Sequence, residues 1–322
     1  MHPFDPLKTF LFCLCATLVF NACQPPEEPV SKEEALALGH RIERMIAKHD
    51  TSLLNHIFDE RSLSKRVGDA MGSSLLNRAM ISGAVKGFEK GGLGSKIVQS
   101  IGEEGSYQLI HEYEKDGRQH LLFRLYGNLG INYHDYELVK REDKVKAADL
   151  YIYTTGENIS LTLANALTRL NKDATSKDVT RTDNVRELLD RSEFQKAHDE
   201  YEKLPPGLKK EKAYQMMHVR IESQLSTDQY IAALNEYRAL FPHDPNMYLL
   251  MIDAYALQKN YPMALESVNK LDSMVGKDPF QDYERALIYR MMDDTANERI
   301  CAERLHRNMP DFKAKGLMSL AH

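Results

Sequence analysis

From Ser31 onward the apolar positions change their period along the chain. Up to Phe88 the spacing is helical. Leu36, Gly39-His40 and Ile42–Ile46 recur at that period, and Ser31 with Glu34 three residues later has the form of a capping box. Leu53-Leu54 and Ile57-Phe58 continue it beyond a break or fresh cap at Asp50-Thr51, and Leu75–Phe88 predicts a further helix ending near Gly91-Gly92. The period then drops to two. Tyr107, Leu109, His111 and Tyr113 alternate with polar residues, and Asp116-Gly117 is a hairpin-turn signal. Leu121–Tyr126 and Ile131–Val139 predict a second and a third strand. After a polar turn at Arg141–Asp143, Val145–Tyr153 predicts a fourth, and Asn158–Asn171 returns to helix. Helices followed by a four-stranded antiparallel meander predict an α+β domain over residues 35–171, a curved sheet wrapped on a long helix.

The polar stretch 172–182, KDATSKDVTRT, is the expected linker. Beyond it, over residues 183–322, no strand pattern appears, and three similar segments recur instead. FQKAHDEYEKL, YIAALNEYRAL and YPMALESVNKL each carry an aromatic residue and then Ala three positions later, at Ala197, Ala233 and Ala264. Tyr201, Tyr237 or Val268 follows, then Leu204, Leu240 or Leu271, and a degenerate fourth copy runs through Cys301, Leu305 and Asn308. A period of roughly 35 residues is that of helical-hairpin solenoids.

These segments resemble tetratricopeptide (TPR) repeats, with Pro245 at the family's closing proline and Tyr255 nine residues before Ala264. Ile252 stands where the family has glycine. The resemblance implies an all-α TPR-like solenoid of three or four units over about 183–310, finished by a short helix from Asp311. In that family the small residue, here Ala197, Ala233 or Ala264, lets neighbouring helices pack closely. The first helix of each unit lines a concave surface, which points to Met217, Arg220, Tyr248, Met251, Tyr255, Tyr283 and Tyr289 as a Met- and Tyr-rich groove for a protein or peptide. Taken singly, each of these side chains also reads as core between helices.

In the first half, INYHDYELVKREDKVKAADLYIYTTGE resembles the last two strands of the nuclear-transport-factor-like (SnoaL-like, cystatin-like cone) fold. That family includes enzymes, ligand binders and modules that dimerise through the sheet, so the fold leaves function open. His111, His120, His134, Asp135 and Glu137 are the polar candidates for a cone pocket. Alternation puts His134 on the face opposite Tyr133 and Asp135, and groups His111 with Tyr107 and Tyr113. No catalytic set is expected from them, and no metal-ligand spacing or cofactor motif occurs. Gly91–Lys96, GGLGSK, lacks the spacing and the preceding strand of a phosphate loop, and reads as a loop between helices.

Before all this stands TFLFCLCATLVFNAC, apolar from Thr9 to Ala22 and shorter than the roughly 20 residues of a membrane span. With Lys8 before it and small Ala22 at its end, it reads as an export signal over residues 1–22. Phe20-Asn21-Ala22-Cys23 resembles the lipobox of bacterial lipoproteins in the relaxed form found in Bacteroidota, with Cys23 acylated and residues 23–34 a polar tether. The acidic QPPEE that follows resembles the surface-export signal of some of these proteins, and the outer membrane is expected rather than the inner. Only Cys301 then remains, so no internal disulfide is expected and Cys301 reads as a small buried residue. A net charge of -5 and a pI near 6.2 argue against nucleic-acid binding. The expected function is that of a lipid-anchored, non-catalytic binding or scaffold protein of the cell envelope, with a homodimer through the sheet as a further possibility. The alternative is a small-ligand binder or enzyme using the cone pocket.

Overall fold

The computed structural model describes residues 26–72, 78–127, 130–171, 177–242, 244 and 246–312. The expected export signal, Cys23, Pro245 and all but the first two residues of the expected terminal helix lie outside the described residues. Among the described residues four α-helices come first: α1 (Lys32–Ile46), α2 (Glu60–Ala70), α3 (Arg78–Lys90) and α4 (Leu93–Ile101). The capping box forms at α1, where Ser31 Oγ accepts from Glu34 N at 3.2 Å and Ser31 N donates to the Glu34 carboxylate at 2.9 Å. GGLGSK is not a free loop. Gly92, at a φ of 68°, precedes α4, and Leu93 to Lys96 form its first turn.

An antiparallel meander follows: β1 (Ser106–Lys115), β2 (Arg118–Gly127), β3 (Gly130–Arg141), β4 (Lys144–Ile152) and β5 (Glu157–Asn158). The sheet has five strands rather than the four expected; the fifth is too short to carry a period. The turns at Asp116-Gly117 and Glu142-Asp143 put both central residues at positive φ, as two-residue hairpins require. One face of the sheet closes on α1, α2, α4 and α5 (Ile159–Asn171) around Ile42, Leu63, Ile97, Phe123, Tyr136 and Leu150, all at most 1% exposed. Burying side chains of this size stabilises by about 1.5–3 kcal/mol each.

The remaining helices are α6 (Lys177–Asp190), α7 (Phe194–Glu202), the single turn α8 (Pro206–Lys209), α9 (Lys212–Glu222), α10 (Thr227–Leu240), α11 (Met247–Leu257), α12 (Tyr261–Met274), α13 (Gln281–Met291) and α14 (Thr295–Asn308). They pack in sequence as pairs, α6 with α7, α9 with α10, α11 with α12 and α13 with α14. Ala197, Ala233 and Ala264 are all buried in these contacts. Cys301 is buried as expected, beside Ala286 and Leu305. The expected linker is shorter than 172–182, because α6 already runs from Lys177. Thr182 turns inward there, bonded to Tyr214 Oη at 3.2 Å. A helix that buries Thr182, Val185 and Leu189 among charged neighbours shows little apolar signal.

The helical region does not stand away from the sheet. Leu122, Tyr133 and Tyr153, on the second sheet face, form one core with Leu249 and Ile252 of α11, Ala264, Val268 and Leu271 of α12, and Ile288 of α13. The contact is sealed by buried polar groups. Arg124, 1% exposed, pairs with Asp278, and Asp278 also accepts from Tyr133 Oη at 2.7 Å and from Phe280 N at 3.1 Å. Gln281 Nε2 donates to Tyr133 Oη at 2.7 Å, and the Arg124 guanidinium lies 4.8 Å from the Phe280 ring centre. A homodimer through this half of the sheet would have to displace the chain's own helices.

Candidate functional site

The site begins with a fault in β1. Its register against β2 shifts between Leu109 and His111, so Leu109 stands opposite Phe123 while His111 stands opposite Leu122. Such a bulge re-aims every side chain beyond it. Tyr107 therefore points into the inner core, and His111 and Tyr113 emerge on the second face. The expected grouping of Tyr107 with His111 and Tyr113 is corrected on that ground, since strict alternation cannot see an extra residue.

Beyond the part covered by α11 to α13, this face carries a row of polar and aromatic side chains. Tyr113 Oη donates to Asp135 Oδ2 at 2.5 Å, and His120 Nδ1 lies 3.0 Å from Asp135 Oδ1. The Tyr113 ring stacks with His111, at 5.4 Å, and with His120, at 4.9 Å. Burial, and after it the Asp135 charge, push the Tyr113 phenol far above its ordinary value, so it stays a donor. Both Asp135 oxygens are engaged and the carboxylate is mostly buried; His120 Nε2 has no protein partner among the described residues. Glu137, further along β3, accepts from Arg66 at 2.5 Å and Arg118 at 3.0 Å.

These groups line a cleft of about 700 Å³, closed on one side by Tyr151 and Tyr153 and roofed by Ser273, Met274 and Gly276 at the end of α12. Gly276 lies against His111 so closely that a Cβ there would come within 2.7 Å of the imidazole. The sequence signal for this site was present in His120, Asp135 and the Tyr-rich strands. What the sequence lacked was the partner surface, some 150 residues away.

His134 belongs elsewhere. On the inner face it is 4% exposed, 3.1 Å from Tyr107 Oη through Nδ1 and 3.2 Å from Asn132 Nδ2 through Nε2. Tyr107 Oη in turn lies 2.9 Å from Tyr136 Oη. The space between the sheet's inner face and the helices is thus packed, with these polar groups satisfied by one another. Burial lowers the His134 pKa to about 4. The unfolded chain binds the proton more readily, so stability is full above about pH 6.5 and falls as the pH drops toward 4. A loss of about 2 kcal/mol by pH 5 is expected from this group. Urea midpoints of the wild type and His134→Gln between pH 7 and pH 5 check it, because the variant's acid loss is smaller by that amount.

The seven groove candidates do not form one surface. Arg220 is exposed, whereas Met217 packs partly buried with Tyr201 and Tyr214. Tyr248 and Tyr255 pack toward the sheet face, and Tyr255 Oη also accepts from Arg238 at 2.6 Å. Tyr283 and Tyr289 lie beside Ala286 and Cys301, with Tyr283 against Tyr126, Phe280 and Phe312. Met251, at 2% exposure, is core and offers no surface to a partner, which corrects its place in the expected groove. It is packed among Val219 of α9 and Ala233, Leu234 and Tyr237 of α10, so it fills the core between helices.

No helix among the described residues is long and apolar enough to cross a membrane. No family model, curated protein or solved structure matches the chain.

Proposed function

We propose that this chain is a lipid-anchored, non-catalytic binding protein of the bacterial cell envelope, and that it holds a peptide segment of a protein partner in the cleft beside Tyr113, Asp135 and His120. One observation carries the choice of surface. The polar row is preorganised and reached from solvent in a cleft of about 700 Å³, within the usual range for ligand sites. Most of the expected groove residues, by contrast, are engaged within the chain. The TPR-like reading of the helical region is supported by its sequential helix pairs and by buried Ala197, Ala233 and Ala264. On this reading the repeats form a wall of the cleft, and the anchor at Cys23 supplies the location. The protein's net negative charge argues against nucleic acid as the partner.

The test compares three tagged chains exposed to detergent-solubilised envelope. The wild type is expected to retain a partner, and Ser273→Trp, which fills the cleft from its roof, is expected to lose it. Arg220→Glu, on the exposed helical surface, is expected to retain it. The reverse pattern would move recognition to the helical region. A second reading, chemistry on a small ligand, is favoured by His120 alone, since Asp135 orients its imidazole and leaves Nε2 open as a base. It predicts that His120→Gln abolishes turnover while binding persists.

A further inference from the structure

The described part of the segment expected to be a polar tether is strapped down. Glu28 N donates to Lys140 O at 2.9 Å, pairing with the part of β3 that overhangs β2. Val30 packs on the inner core. Glu27 is held more firmly: its Oε1 accepts from buried Ser62 Oγ at 2.8 Å and its Oε2 from Arg118 at 3.1 Å, with Arg141 3.6 Å away. Burial alone would raise the Glu27 carboxyl, but Ser62 and the Arg118 and Arg66 charges outweigh it and hold it low.

Glu27 sits in a trough of about 980 Å³ between α2, α3 and the ends of β2 and β3. Inside, the charges balance: Arg66, Arg118 and Arg141 face Glu27, Asp59 and Glu137. The rim does not balance. Arg61, Lys65, Arg78 and Lys86 are exposed there, against Glu60 and Asp69. This is a local excess of positive charge on a chain whose net charge is -5. It also lies where the strap begins, at Pro26.

Three peptide units separate Pro26 from Cys23, a reach of at most about 11 Å. An acylated Cys23 therefore leaves no slack: the strap brings this rim, and no remote face, to the headgroup layer. We propose that the rim formed by Arg61, Lys65, Arg78 and Lys86 is a docking surface for anionic phospholipid headgroups, which sets how the anchored protein lies on its membrane. The placement rests on the lipid-anchor reading; the charge complementarity does not. Basic side chains near an anionic surface contribute about 1 kcal/mol each.

The test uses the unacylated chain from Gln24 onward, which carries every element described above, and vesicles of phosphatidylcholine with or without phosphatidylglycerol. Binding is expected to the anionic vesicles alone and to weaken with added salt. Arg61→Gln with Arg78→Gln is expected to lower partitioning about fivefold for each cation removed. Lys259→Gln with Lys270→Gln, exposed cations of the helical region, is expected to change nothing. Equal partitioning into both kinds of vesicle, or an equal loss from the two double variants, would overturn the proposal. Mass analysis of Cys23 in the exported protein separates the two ideas. An unmodified Cys23 together with intact, rim-dependent vesicle binding removes the anchor and leaves the surface standing.

Discussion

Asp278→Ala is expected to lower the stability of the folded chain by about 3–5 kcal/mol, the usual effect of removing one partner of a buried ion pair. The residue is 2% exposed and faces Arg124, itself 1% exposed, so the substitution leaves a buried guanidinium without its counter-charge. Tyr133 Oη and Phe280 N lose an acceptor at the same time. The penalty is one of desolvation without compensation and is not a measure of the pair's net worth. Replacing both partners, as in Arg124→Met with Asp278→Leu, should therefore recover most of the loss. Urea midpoints with intrinsic Tyr fluorescence read both variants. If the single variant unfolds at the wild-type midpoint, the polar cluster does not seal the sheet to the helices.

Gly156→Val is expected to cost about 2–5 kcal/mol, by a different mechanism. Gly156 lies between β4 and β5 at a φ of 67°, a conformation that costs a side-chain-bearing residue about 1–2 kcal/mol. A Cβ there would also come within 2.7 Å of Asn246 Nδ2 and 2.9 Å of Tyr237 Oη. Those two groups are buried and bonded to each other, and Lys212 Nζ donates to Gly156 O at 2.9 Å. Neither can retreat without losing a hydrogen bond, and overpacking at such sites costs about 1–3 kcal/mol more. Thermal unfolding of the variant reads the loss. Gly130→Ala, also at positive φ but with open space around its Cβ, isolates the conformational part. Equal losses from the two variants would mean that the contact with α10 and α11 contributes nothing.

The elements of this chain were largely legible because their periods are local. The capping box at Ser31, the turns at Asp116-Gly117 and Glu142-Asp143, and the helices around Ala197, Ala233 and Ala264 each rest on a few neighbouring residues. The candidate site was legible only as an inventory of His120, Asp135 and nearby tyrosines. Its assembly depends on a one-residue bulge and on a roof from α12, and neither leaves a periodic trace. One signal did mark the covered face. Leu121 to Leu125 is buried without interruption, and LLFRL is a nearly continuous apolar run with one Arg in it. Alternation would have meant one wet face, whereas such a run marks a strand covered on both. The lone Arg124 among those leucines pointed to a buried partner.

Arg124 and Asp278 are 154 positions apart, and that separation governs the order in which the molecule can be made. A chain appearing N-terminus first completes the meander and its inner helices long before α11 to α13 exist. Leu122, Tyr133 and Tyr153 must then wait, apolar and uncovered, beside an unpaired guanidinium. Contacts of such sequence separation close slowly. During that interval this face is the part of the molecule on which a chaperone has most to protect.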